Sequence, residues 1–185
     1  MRRRGWTSRA NSLAPPEADS LGRRIADPRQ IIAALAEQRV DFLVVGGLAV
    51  IAHGHVRLTQ DVDILPAPDA ANLERLAAAL RGLDTTAVGA RGETLPLDLT
   101  HPESLSVGNY FLETKHGAID LVNGLRPDLL RYRRLDAASV RSTIGGVSVK
   151  VISKDDLIAM KREAGRPKDL ADIAALTEVE RGGGL

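Results

Sequence analysis

Four apolar residues, Phe42-Leu43-Val44-Val45, run straight into Gly46-Gly47, and further on Asp61-Val62-Asp63-Ile64-Leu65 alternates acid with aliphatic until Pro66. Few folds accommodate that succession. The first run is short and ends in a turn signal, which marks a buried strand. The second puts Asp61 and Asp63 on one face of a strand and Val62 and Ile64 on the other, because strand side chains alternate with a period of two. About 15 residues separate the turn from the acids, room for a short helix over 48–53 and a return loop. Strand, turn, helix and strand in that order predict a sheet covered by helices.

The rest of the chain extends this pattern. Asp27 followed by Pro28 is a helix start, and Ile31, Ile32 and Leu35 continue it as an amphipathic helix over 28–39. Leu73, Leu76 and Leu80 share one face of a helix over 69–81. Residues 110–114 and 118–122 flank Lys115-His116-Gly117 as a hairpin, within a stretch from Val88 to Asn123 that is strand-like throughout. A strand over 147–152 follows Gly145-Gly146, Ser153 caps a helix to Glu163, and Pro167 opens a last helix past Leu176. The expectation is a mixed α/β domain over 27–180 with helices at its two ends. Residues 1–26 are expected to be a flexible basic arm and 181–185 a tail.

Composition narrows the function. Aromatics are only 3% of the 185 residues, so Ala, Leu, Val and Ile must build the core. Without cysteine there is neither a disulfide framework nor a thiolate metal site. No apolar stretch reaches the roughly 20 residues that span a bilayer, and Arg2, Arg3 and Arg4 precede no signal-like run, so a cytoplasmic protein is expected. A net charge of +1 is too small for a surface that binds nucleic acid everywhere. Any RNA or polyphosphate must be held by a local patch.

Two carboxylates side by side on a strand repel, and each raises the other's pKa. A cation between them removes that cost, and magnesium suits carboxylates shared with triphosphate oxygens. Asp120, set between Ile119 and Leu121 on a predicted strand, is the third candidate. Three acids can serve two metals, with Asp120 nearest the attacking hydroxyl. Gly46 and Gly47 bring backbone N–H groups to the start of a helix, where phosphate is favoured and a glycine backbone can approach it closely. Taken singly, Gly-Gly is usually a turn and Asp-x-Asp a solvated edge. Their spacing makes the combination specific.

Val44-Val45-Gly46-Gly47-Leu48-Ala49 with Arg57-Leu58-Thr59-Gln60-Asp61-Val62-Asp63-Ile64 resembles the first motif of the polymerase β-like nucleotidyltransferases. The branch it most resembles is AbiEii-like and includes the MenT-type toxins of toxin–antitoxin pairs. Asp155-Asp156-Leu157-Ile158-Ala159-Met160-Lys161 and Arg166-Pro167-Lys168-Asp169-Leu170-Ala171-Asp172-Ile173 are similar to its C-terminal motif. The resemblance implies an α/β (α+β) nucleotidyltransferase fold, a small mixed sheet flanked by helices. It implies Mg2+ on Asp61, Asp63 and Asp120, with Gly46, Gly47 and Thr59 at the triphosphate. Lys161 and Arg166 would neutralise phosphate, and Asp172 would orient a basic residue or the nucleotide. The implied reaction transfers a nucleoside monophosphate from an NTP to a hydroxyl. The implied acceptor is the tRNA 3′ end and the implied partner a cognate antitoxin. The chain is shorter than many toxins of this branch, so RNA capture would fall to the arm or to Arg131, Arg133, Arg134 and Arg141, with Tyr110, Phe111 and Tyr132 the nearby aromatics. Two alternatives stay open: an aminoglycoside-type small-molecule nucleotidyltransferase, and an antitoxin-type domain that acts chiefly as a binding partner.

Overall fold

A computed structural model describes residues 22–124 and 127–182. Among these residues, eight strands form one sheet. In chain order the elements are α1 (Pro28–Glu37), β1 (Phe42–Val44), α2 (Gly46–Ala52), β2 (Asp61–Pro66), α3 (Ala70–Gly82), β3 (Thr86–Val88) and β4 (Thr94–Leu95). A 3-10 turn (Pro102–Ser106) leads to β5 (Asn109–Thr114) and β6 (Gly117–Val122). Then come α4 (Leu129–Ala138), β7 (Val140–Ile144), β8 (Val147–Val151), α5 (Lys154–Ala164) and α6 (Pro167–Gly182).

The sheet order is β4-β3-β5-β6-β2-β1-β8-β7. Only β1 with β8 and β2 with β6 run parallel; every other pair is antiparallel. The two central strands are therefore each flanked by one parallel and one antiparallel neighbour. Strands in that position are covered on both faces, and β1 and most of β6 are buried along their length.

Local chemistry explains the helix ends. Asp27 accepts from the N–H groups of Arg29 (3.0 Å) and Gln30 (3.3 Å), with Pro28 in the first turn of α1. Ser153 accepts from the Asp156 N–H at 3.2 Å and donates to its carboxylate at 2.7 Å. Gly165, at φ +64°, ends α5 in the left-handed conformation that glycine adopts without strain. The core is aliphatic, as the composition requires: Ile31, Ile32 and Leu35 of α1, Leu43 of β1, Ile64 of β2, Leu73, Leu76 and Leu80 of α3, and Ile119 of β6 are fully buried. Asn72, a fully buried polar residue, fastens it. Its amide accepts from Asp41 N–H (2.7 Å) and donates to the carbonyls of Asp41 (2.8 Å) and Ala67 (2.9 Å), tying α3 to the start of β1 and the end of β2.

The architecture is the expected α/β class, with more sheet than the sequence reading placed. Helix α4 and strand β7 were not anticipated. Helix α4 buries only Tyr132 and Leu135, too few for a periodic signal. Strand β7 lies at the sheet edge and is mostly exposed. Helix α2 begins at Gly46, two residues before the expected start. Of the arm expected over 1–26, residues 1–21 lie outside the described residues. Residues 22–26 pack against the sheet: Ala118 N–H donates to the Arg24 carbonyl (3.2 Å) and Ala26 N–H to that of Gln60 (2.8 Å). Helix α6 extends to Gly182, and residues 183–185 of the expected tail lie outside the described residues. No helix among the described residues is long and apolar enough to cross a membrane.

Candidate functional site

The parallel pairing of β2 with β6 assembles the acids. Its register sets Asp61 against Ala118, Val62 against Ile119 and Asp63 against Asp120. Asp63 and Asp120 thus stand side by side on neighbouring strands, and Asp61 lies two residues back on the same face. One carboxylate oxygen from each of Asp61, Asp63 and Asp120 lies within 4.8 Å of the other two. The antiparallel pairing of β1 with β2 then delivers the glycines. Val44 lies opposite Ile64, and Val45 N–H donates to the Asp63 carbonyl at 3.0 Å, so the chain turns into α2 directly above Asp63.

That turn is tight. Gly46 sits at φ +59°, and a Cβ there would overlap the carboxyl group of Asp63. A Cβ on Gly47 would overlap the hydroxyl of Thr59. The Gly47 N–H points at Asp63 Oδ2, 3.4 Å away, and the Thr59 hydroxyl donates to Asp61 Oδ1 at 3.2 Å. The sequence reading assigned Gly46, Gly47 and Thr59 to a triphosphate. Here Gly47 and Thr59 also contact the acids themselves.

Burial, with crowding second, perturbs two of these carboxyls. Burial, then the neighbouring charges of Asp61 and Asp120, pushes Asp63 up from the ordinary 3.8 to about 7, against the Gly47 N–H and Lys161. Burial also raises Asp120, to about 6, although Arg23 opposes it. Such a cluster stands at a cost unless cationic charge offsets it, and one guanidinium offsets three carboxylates only in part. All-oxygen carboxylate donors are the ligands a hard cation such as Mg2+ selects, so the donor set fits that ion.

The opposite wall carries the C-terminal motif. Lys161 on α5, only 6% exposed, reaches Asp172 Oδ2 at 2.7 Å and Asp169 Oδ1 at 3.4 Å on α6. Asp172 also accepts from Arg57 Nη1. Asp169 accepts from Arg166 Nε (2.6 Å) and Nη2 (3.2 Å), a two-pronged pair. Burial works to raise Asp169, but Arg166 and Lys161 outweigh it and hold the carboxyl below the ordinary range. Arg166 is in turn raised, chiefly by its hydrogen bond to Asp169. The result is a chain of alternating charge, Arg57–Asp172–Lys161–Asp169–Arg166. Replacing Lys161 with Met leaves Asp169 and Asp172 each one cation short in a buried setting. The expected loss is about 2–3 kcal/mol at pH 7 in a urea melt.

The acids, the glycine turn and this charged chain enclose a cavity of about 510 Å³. Its lining includes Gly46, Gly47, Thr59, Asp61, Asp63, Asp120, Lys161 and Arg166. Asp172 stands just behind the lining, bonded to Lys161 and Arg57. All the candidate site residues named from sequence are thus brought to one place. The candidates for RNA capture are not. Arg134 pairs with Asp156 at 2.9 Å, Arg131 borders a different and much smaller cavity, and neither Arg133 nor Arg141 lines the main one. Tyr132 is buried, and Tyr110 donates to the Ser104 carbonyl at 3.0 Å; of the three aromatics only Phe111 lines the cavity.

Three residues of the site had no role in the sequence reading. Arg57 and Asp169 sit inside the quoted motifs, and only their ion pairs reveal them. Arg23 carried no sequence signal, because it falls in the stretch taken as an arm. Its guanidinium donates to both oxygens of Asp120 and to Asp61 Oδ2 at 3.5 Å.

No protein-family model matches the chain, and no curated protein matches it. Solved structures match it in fold. The lincosamide antibiotic adenylyltransferase LnuA, bound to lincomycin, aligns with 80% of this chain and 92% of its own at 16% identity and a TM-score of 0.53. The antibiotic-resistance factor ANT(2'')-Ia in solution aligns with 81% of this chain and 80% of its own, at 16% identity and a TM-score of 0.53. The same factor in complex with adenylyl-2''-tobramycin gives 16% identity and a TM-score of 0.53 over 80% of this chain and 84% of its own. At such identity the likeness establishes the fold, that of the polymerase β-like nucleotidyltransferases.

Proposed function

We propose that this chain transfers a nucleoside monophosphate from an NTP to a hydroxyl group, using Mg2+ held by Asp61, Asp63 and Asp120. The observation that carries the reading is three carboxylates converging under a glycine turn, in a cavity whose far wall presents Arg57, Lys161 and Arg166 within a network of ion pairs. The bound ion would neutralise triphosphate charge and acidify the acceptor hydroxyl. The chain's own residues do the rest. Gly46 and Gly47 let the triphosphate lie against the backbone, and Arg57, Lys161 and Arg166 offset its charge on the pyrophosphate side. The acceptor oxygen bonds to the α-phosphorus, the bond from that phosphorus to the bridging oxygen breaks, and pyrophosphate leaves. Asp120, on the strand beside Asp63, takes the hydroxyl proton.

Two acceptor classes remain in view. Beside Asp120 the cavity wall is Asn109, Phe111 and Val122, neutral and partly apolar. The arginines that would have made an RNA groove lie elsewhere. Both facts favour a small molecule, and the solved structures of like fold include enzymes that adenylylate antibiotics. The tRNA acceptor and the toxin role, restrained by an antitoxin, rest on the resemblance of Arg57-x-Thr59-x-Asp61-x-Asp63 and of residues 155–161 and 166–173 to the AbiEii-like branch. One experiment addresses both. The protein is incubated with each α-labelled NTP and Mg2+, with total tRNA in one arm and aminoglycosides and lincosamides in the other. Label is expected in one arm, with release of pyrophosphate. No labelling in either arm, and no pyrophosphate, would refute nucleotidyl transfer.

A further inference from the structure

We propose that Arg23 is a tethered gate on the metal site: its guanidinium holds the place of the cation, and a metal ion binds only by displacing it. The inference rests on the reading of the three acids as a metal cradle.

The Arg23 side chain is 4% exposed, and it spans the cluster from Asp120 to Asp61. Its Cζ lies 5.6 Å from the centroid of the Phe111 ring, on the strand next to Asp120. A cation over an aromatic face is held by the ring's quadrupole as well as by the acids. The backbone around it is fixed independently. Arg24, Ala26 and Asp27 bond to Ala118, Gln60 and His116, and Arg24 Nε donates to Glu113 at 2.7 Å. Gly117, at φ +96°, makes room for this segment, since a Cβ there would meet Ala26 Cα at 2.7 Å. The side chain can therefore leave while its anchor stays.

Two features make the seat a temporary one. Arg23 takes both oxygens of Asp120 and one of Asp61, so a metal ion that binds Asp120 must compete with it. And Arg23 Nε is buried without a hydrogen-bond partner, which leaves the occupied state incompletely satisfied. A single positive charge offsets three carboxylates only in part. Arg23 thus guards the cluster while it is empty of metal.

Competition of this kind weakens apparent metal affinity by the fraction of time the site is open. The test is calorimetric titration of full-length protein with Mn2+, for the native chain and for Arg23→Gln and Arg23→Lys. Arg23→Gln should bind Mn2+ about tenfold more tightly than the native chain, while Arg23→Lys, which keeps the charge, should stay within about threefold of it. A second reading needs no folded variant. In protein labelled with 15N-arginine, Mg2+ should move the guanidinium resonance of a slowly exchanging, buried arginine to an exposed, fast-exchanging position. Equal affinity in the native and Arg23→Gln chains, or a protected arginine signal that ignores saturating Mg2+, overturns the gate alone. Absence of Mn2+ uptake by every chain removes the metal cradle and the gate together.

Discussion

Asp63→Asn will melt at a higher temperature than the native protein at pH 8 in metal-free buffer, while its nucleotidyl transfer falls by roughly 10³-fold. Both effects have one cause. The Asp63 carboxyl stands near 7 in the folded protein and near 3.8 in the unfolded chain. Between those values the folded state keeps a proton that the unfolded state has released. Stability therefore declines as pH rises from about 4 to about 7, and above that the folded protein bears the whole cost of a charge that is buried and crowded. Asp120, raised to about 6, adds a decline over the lower part of the same window. Asparagine keeps the shape and removes the charge, so the variant's melting curve should be flatter with pH and gain about 1–3 kcal/mol at pH 8. Mg2+ should stabilise the native protein, most strongly at high pH, and leave the variant unmoved. Thermal melts at pH 5 and pH 8, with EDTA or Mg2+, check each statement. Superimposable pH profiles for the two proteins would show that Asp63 is not under this strain.

Gly46→Ala is the second large effect. A residue with a Cβ at φ +59° costs about 1–2 kcal/mol, and here the new methyl also collides with Asp63. Either the turn lifts away from β2 or Asp63 leaves the cluster. The expected loss is about 2–4 kcal/mol of stability, with transfer reduced by about 10²-fold or more. The two sites are coupled, so their effects should not add. In an Asp63→Ala background the Gly46→Ala penalty should shrink because the carboxyl is gone. It should not vanish, because the Cβ of residue 63 itself would sit 2.7 Å from the new methyl. A double-mutant cycle in urea measures this. Additive costs would mean that turn and acid do not touch.

Much of the site was legible because it uses short-range patterns. The period of β2 put Asp61 and Asp63 together, and the apolar run before Gly46 placed the turn. Asp120 was legible as an acid between Ile119 and Leu121. Its pairing with Asp63 depends on which strands become neighbours, and periodicity does not carry that information. The same limit hid the charged wall. Lys161 and Asp172 were named, but Arg57 comes from a loop before β2, and only packing brings it to Asp172. Helix α4 escaped because Tyr132 and Leu135 alone face inward, and β7 because an edge strand needs little apolar content. Arg23 was invisible because a basic, polar stretch has the composition of an arm, and only the fold brings it to Asp120 and Asp61.

The side-by-side register of β2 and β6 has a consequence for biosynthesis. Those strands lie far apart along the chain, with α3 and β3 to β5 between them. A nascent polypeptide that has made Asp61 and Asp63 lacks Asp120 until β6 emerges, so the three-acid cluster cannot form before then. If the three acids hold a cation as proposed, capture would wait until the central sheet has closed.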